Sequence, residues 1–155
     1  MLSPVLEALR ELPLRDAVPM ASLEALVPLG TIETHAKDDI LFRIGGAAEH
    51  LRFVIHGRVA LFLPDPGERG HTIGTASKGD LLGWSALRGA SNTWTVSARA
   101  TRETRCLAFS GREVRALCDR DPGFGYHLMR YGFEVVARRL TDARLQLLDV
   151  YGHRG

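Results

Sequence analysis

Between residues 31 and 109 the chain is a succession of short apolar or alternating runs, "DDILFRIGG", "HLRFVIHGRVALFL", "PDPGERG", "HTIGTASKGD" and "TWTVSARATRETRCLAF", punctuated by Gly, Pro and Asp. Strand-length runs recurring about every 8–12 residues with turn chemistry between them restrict such a chain to a sandwich or barrel. The most constraining piece is "FVIHGRVALFL", where Gly57 separates two apolar segments and so marks a bend or turn. "PDPGERG" then closes a hairpin on the strand running from Arg58 to Leu63. The expected fold is mainly β with flanking helices, an antiparallel, double-stranded, jelly-roll-like β-roll over residues 31–109.

Helical patterns flank it. Residues 1–30 read as a helical flank: Ser3 is placed to cap "SPVLEALREL" with Pro4 at the first helical position, and "ASLEALVPLG" is stopped by Pro28 and Gly30. Residues 110–151 are helical again. Ser110 and Glu113 have capping-box spacing, the first helix ends before Pro122, and a long helix is expected from about residue 123 to 150. On that helix Tyr126, Met129, Phe133, Val136, Leu140, Ala143, Leu147 and Val150 step alternately by three and four, the seam of a coiled coil, with Arg130, Arg138, Arg139 and Arg144 off it. A small β-roll could cover the first half of this stripe but not all of it. Phe133, Val136, Leu140, Ala143, Leu147 and Val150 are therefore expected to form a homodimer helix.

A length of 155 residues suits one domain, 1–155, and 45% apolar with 25% charged residues is the composition of an ordinary globular chain. No run of about 20 apolar residues occurs, and "MLSPVLEALRELPLRD" is charged too early for a signal peptide, so a cytoplasmic chain that does not enter a membrane is expected. The net charge of +2 is too small to argue for nucleic acid. Cys106 and Cys118 form no CxxC pair and are expected as reduced, buried thiols.

Within "KGDLLGWSALRG", Gly79-Asp80 makes a turn, and Gly83 precedes a short helical turn through Ser85, Ala86 and Leu87. Gly83 would let backbone approach a ligand, and the first N–H groups of the turn would point at an anion. With Gly45-Gly46, the 53–59 strand pair and "SARAT" in the same order, residues 9–150 resemble the cyclic-nucleotide-binding domain of the bacterial catabolite-activator type. That resemblance implies a regulatory β-roll with a phosphate-binding cassette of the form F-G-E-x-A-L and a dimerising helix. It also implies a glutamate on the ribose hydroxyl and an arginine on the cyclic phosphate.

Carried over position by position, Gly83, Ala86 and Leu87 match and Ser85 takes the free place, while the glutamate position is Trp84. The arginine position falls on Trp94, with Thr95 in the adjoining Ser/Thr place. An indole offers one N–H and no charge, so neither tryptophan can replace its counterpart. The loss of a charge-assisted contact to a buried phosphate is worth about 1.5–3 kcal/mol, which argues against the usual mode of cyclic AMP binding. Of the nearby guanidiniums, Arg88 and Arg99, strand alternation turns Arg99 away from Trp94. Two readings of the indoles stand. Either they fill the volume of a nucleotide, leaving a ligand-free structural or dimerisation domain, or they line a pocket for a flat or apolar small ligand, oriented by the Ser85 and Thr95 hydroxyls.

Enzyme chemistry has weaker support. His35, His50, His56 and His71 raise a cupin-type metalloenzyme, but no His-x-His is present and no carboxylate stands in ligand register. "GWSAL" lacks the second glycine of a nucleophile elbow. No catalytic residue, metal or fixed cofactor is expected, and a cyclic nucleotide or other small molecule is the candidate ligand. Only "YGHRG" follows the seam, so direct nucleic-acid binding is not expected and any effect on transcription would run through a protein partner.

Overall fold

The computed structural model describes residues 3–66, 70–89 and 91–152. Gly57 organises the centre of the fold. Its φ is +102°, and a Cβ there would stand 2.5 Å from the Glu103 carbonyl and 2.7 Å from the Thr104 backbone, so only glycine fits. At that residue the apolar run leaves one sheet and enters the other: β3 (His50–His56) lies in the first and β4 (Arg58–Leu63) in the second.

The first sheet has the order β1-β8-β3-β6, with β1 at Gly30–His35, β6 at Leu81–Leu82 and β8 at Thr104–Ser110. The second has the order β2-β7-β4-β5, with β2 at Ile40–Phe42, β5 at His71–Ser77 and β7 at Ser97–Ala100. Every strand pair is antiparallel. This is the expected β-roll. The β4–β5 hairpin forms, although residues 67–69 of its expected turn lie outside the described residues.

Strand alternation divides the core in two. On β3 and β8, Phe53, Leu107 and Phe109 join the helices, with Phe53 and Phe109 edge-to-face at 6.2 Å between centroids. Their neighbours Val54 and Cys106 turn into the roll, where they meet Val59, Leu82 and Ala98.

The helical flank comprises α1 (Pro4–Glu11), α2 (Leu14–Ala17), α3 (Met20–Leu26) and a 3-10 turn at Val27–Leu29. Ser3 caps α1 through its hydroxyl, which accepts from the Val5 N–H at 3.2 Å. After the roll come α5 (Gly111–Arg120), capped by Ser110 accepting from the Glu113 N–H at 3.4 Å, and the 31-residue α6 (Pro122–Gly152). No helix among the described residues is long and apolar enough to cross a membrane.

On α6 the buried face differs from the sequence reading. Phe124, Gly125, Leu128, Gly132 and Val135 pack on the domain. The stripe itself stays outside along its whole length, including Tyr126 and Met129, and Phe133 is 72% exposed. The first half of α6 therefore carries two apolar faces, and the domain takes the one that contains the glycines, because they admit close packing.

Candidate functional site

The site begins at the Gly79-Asp80 turn. The Asp80 carboxylate accepts from the Ser77 N–H at 2.8 Å, and the turn is tied to β3 by Gly79 N–H to Val54 C=O at 2.8 Å and Val54 N–H to Asp80 C=O at 2.9 Å. β6 follows, and then Gly83 at φ +92°. A Cβ on Gly83 would meet the His50 carbonyl at 2.7 Å and Cη2 of Trp94 at 3.0 Å. Glycine is required here by the close approach to the chain's own tryptophan and strand, and Gly83 also lines the cavity described below.

The cassette helix, α4, spans Ser85–Arg88. Two of its N–H donors are used inside the turn, Ala86 N–H on Gly83 C=O and Leu87 N–H on Trp84 C=O, each at 3.0 Å. From behind, α5 supports the turn. A Cβ on Gly111 would stand 2.9 Å from the Ala86 Cβ, and the Arg115 guanidinium donates to the Ala86 carbonyl.

The two indoles have different surroundings. Trp94 is buried, its ring stacked on Phe42 with centroids 4.1 Å apart and planes 19° from parallel. Its backbone is held by the glycine turn: Trp94 N–H donates to Gly46 C=O and Gly45 N–H to Trp94 C=O, both at 2.9 Å. Trp84 presses the edge of its six-membered ring on α6 at Gly132, where a Cβ would be 2.9 Å from Cε3 and closer still to Cζ3 and Cη2. Its indole N–H is buried and finds no acceptor among the described residues.

Between the cassette and the second half of α6 lies a cavity of about 990 Å³. Gly83, Trp84, Ser85, Trp94 and Thr95 line it from the roll, joined by Phe42 and Leu61. Across it stand Arg139, Asp142, Ala143, Leu147 and Val150 of α6. Both tryptophans thus border open volume. Ala86 and Leu87 do not line it; they are buried, Ala86 within the roll cluster and Leu87 among the helices. Of the expected dimer residues, Ala143, Leu147 and Val150 face this cavity, whereas Phe133, Val136 and Leu140 do not line it.

The cation that lines the cavity was not among the sequence candidates. Arg139 reaches from α6 and donates to the Leu81 carbonyl on β6. Burial pulls its pKa down, and the Asp80 carboxylate acts in the opposite direction. Its sequence signal, one arginine among several off the seam, does not separate it from its neighbours. Arg99 instead places its guanidinium 4.7 Å above the Phe62 ring, and neither it nor the exposed Arg88 lines the cavity.

The histidines take separate roles. His35 meets Glu33 at 3.2 Å and His71 meets Asp65 at 2.6 Å, while His50 and His56 are exposed. No group of three or more His, Cys, Asp or Glu among the described residues could hold a metal ion. Burial tends to raise the Glu33 pKa, but the Arg52 guanidinium at 2.8 Å and then His35 outweigh it, so the carboxyl lies below its ordinary value.

The family model for the cyclic nucleotide-binding domain matches residues 32–121, more than half of the chain. The chain belongs to the cyclic nucleotide-binding domain family. Among solved structures, it is similar to a candidate cyclic nucleotide-binding protein from Geobacter metallireducens at 24% identity and a TM-score of 0.76, over 90% of this chain and 99% of that one. A cyclic nucleotide-binding domain from Methylobacillus flagellatus also aligns with a TM-score of 0.76, at 17% identity over 94% and 81%. The N-terminal domain of a transcriptional regulator from Streptomyces coelicolor shares 26% identity, with a TM-score of 0.66 over 88% and 92%. A search of the curated proteins finds no match. Within the family fold, this chain has indoles at the two cassette positions that the resemblance assigns to a carboxylate and a guanidinium.

Proposed function

We propose that this chain is a non-enzymatic regulatory or sensor module, cytoplasmic, in which a small ligand enters the cavity between cassette and α6 and changes the set of α6. The observation that carries the reading is the cavity itself, bordered at once by Trp84, Ser85, Trp94 and Thr95 of the roll and by Ala143, Leu147 and Val150 of α6. An occupant touching both would favour one helix position over another, which is what coupling requires. The exposed stripe Phe133, Val136, Leu140, Leu147 and Val150 supports pairing with a second copy through α6. Family membership and a similar fold in a transcriptional regulator support a regulatory role.

The second reading, a ligand-free dimerisation domain, has its own observation. Trp94 stacks on Phe42 and Trp84 seats on Gly132, so each indole already has a packing role without a ligand. Titrating tryptophan fluorescence with cyclic AMP, cyclic GMP and a panel of small aromatic metabolites separates the two. A saturable change with any compound is expected; no change with all of them would leave the ligand-free domain as the better account.

A further inference from the structure

Of the two charged side chains that line the cavity, the less exposed is a donor, Arg139. A guanidinium carries five N–H donors, and among the described residues Arg139 has one acceptor, the Leu81 carbonyl. Burial disfavours the charged form of Arg139, and the compensating carboxylate, Asp80, acts through space without an ion pair to it among the described residues. Asp142 also lines the cavity, but it is exposed, so water satisfies its charge. The half-buried cation dominates over the exposed carboxylate, because a charge partly withdrawn from water gains more from a partner than a hydrated one does. Beside it the walls are flat and apolar: Trp84, Trp94 and Phe42, with Leu61 and Val96.

We propose that the cavity takes a small anion with a flat, apolar body, whose anionic group pairs with Arg139 of α6 while the body lies along the indoles. The anion-pairing role that the family resemblance assigns to position 94 is thereby carried by the long helix. This inference rests on the cavity being a ligand site, as the proposed function has it. An anion on the spare N–H groups of Arg139 binds beside the Leu81 carbonyl on the same guanidinium, so occupancy bears directly on the contact that ties α6 to β6. Aromatic monocarboxylates and cyclic nucleotides share the required chemistry, a single negative charge together with a planar ring system in one small molecule.

The test uses three probes with one ring system, 2-naphthoate, 2-naphthamide and 2-naphthylmethylammonium, together with cyclic AMP, titrated by fluorescence and calorimetry into the full chain and Arg139→Gln. The charge-assisted pair predicts naphthoate binding about 10–100-fold more tightly than the amide. Arg139→Gln removes that preference, so that naphthoate and amide bind alike, while Arg139→Lys retains part of it. Thermal melts of both variants establish that they are folded. Arg139-dependent binding of cyclic AMP identifies a nucleotide as the anion, and binding of naphthoate alone identifies an aromatic acid; either supports the subsite. Equal affinity for naphthoate and amide, or tighter binding of the ammonium, overturns the anion subsite and leaves the sensor reading standing. Failure of all four probes to bind overturns the anion subsite, and the sensor reading falls with it only when the cyclic nucleotides and the metabolite panel also fail.

Discussion

Replacing Gly132 by alanine tests the contact between cassette and helix directly. In the middle of an exposed helix this change stabilises by about 0.8–1.0 kcal/mol, because glycine loses more backbone entropy on folding. At Gly132 the added methyl would stand 2.9 Å from Cε3 of Trp84 and nearer to Cζ3 and Cη2. Ordinary carbon contacts lie at about 3.5–4.0 Å, so indole or helix must yield by roughly an ångström. Overpacking of this kind costs about 1–3 kcal/mol. The two effects oppose each other, leaving a net loss of up to about 2 kcal/mol in the native background, or a Tm lower by about 2–4 °C for each kcal/mol at this chain length.

A Trp84→Ala background removes the obstacle. There the same substitution is expected to stabilise by about 1 kcal/mol, so its sign inverts and the coupling between the two positions is about 1–3 kcal/mol. Urea unfolding of the four proteins, followed by circular dichroism, measures it. A gain of about 1 kcal/mol from Gly132→Ala in both backgrounds would refute the packing of Trp84 on α6, and with it the route from cavity to helix.

Two further expectations follow from burial. Phe133→Glu combined with Leu140→Glu places charge on side chains that are 72% and 50% exposed in the isolated chain. Light scattering should then show a monomer in place of a dimer, with the far-ultraviolet spectrum unchanged; a monomeric parent protein would sink the seam. Burial, and then the Glu33 carboxylate, push the Cys106 thiol up to about 12. The folded state thus holds this proton more tightly than the unfolded state, whose thiol titrates near 9. The associated stability is complete below pH 9 and declines as pH rises toward 12. Cys106→Ala should flatten that alkaline decline in urea midpoints, and an unchanged slope would show the thiol to be accessible.

The elements of this fold were legible because their signals are local. Ser3 and Ser110 stand within a turn of the N–H groups they accept from, and Gly57 sits between two runs whose alternation alone requires a break. The two cassette tryptophans were legible by spacing. Arg139 was not, because its partner carbonyl on Leu81 lies far back in the chain and nothing near residue 139 marks it among the other arginines. The buried face of α6 was also hidden, since Gly125 and Gly132 contribute no apolar signal while admitting the closest contacts on the helix.

By itself, then, the order of residues determined the β-roll between helical flanks, the long amphipathic helix and the absence of charge at positions 84 and 94, all properties of periods, caps and residue chemistry. The tertiary structure decided what surrounds those positions. It set Gly83 against Trp94, seated Trp84 on Gly132, left a cavity between the indoles and α6, and brought a guanidinium from the far end of the chain to its wall. Those outcomes depend on which surfaces meet when the helix folds back over the roll, and only the packing of distant segments specifies that.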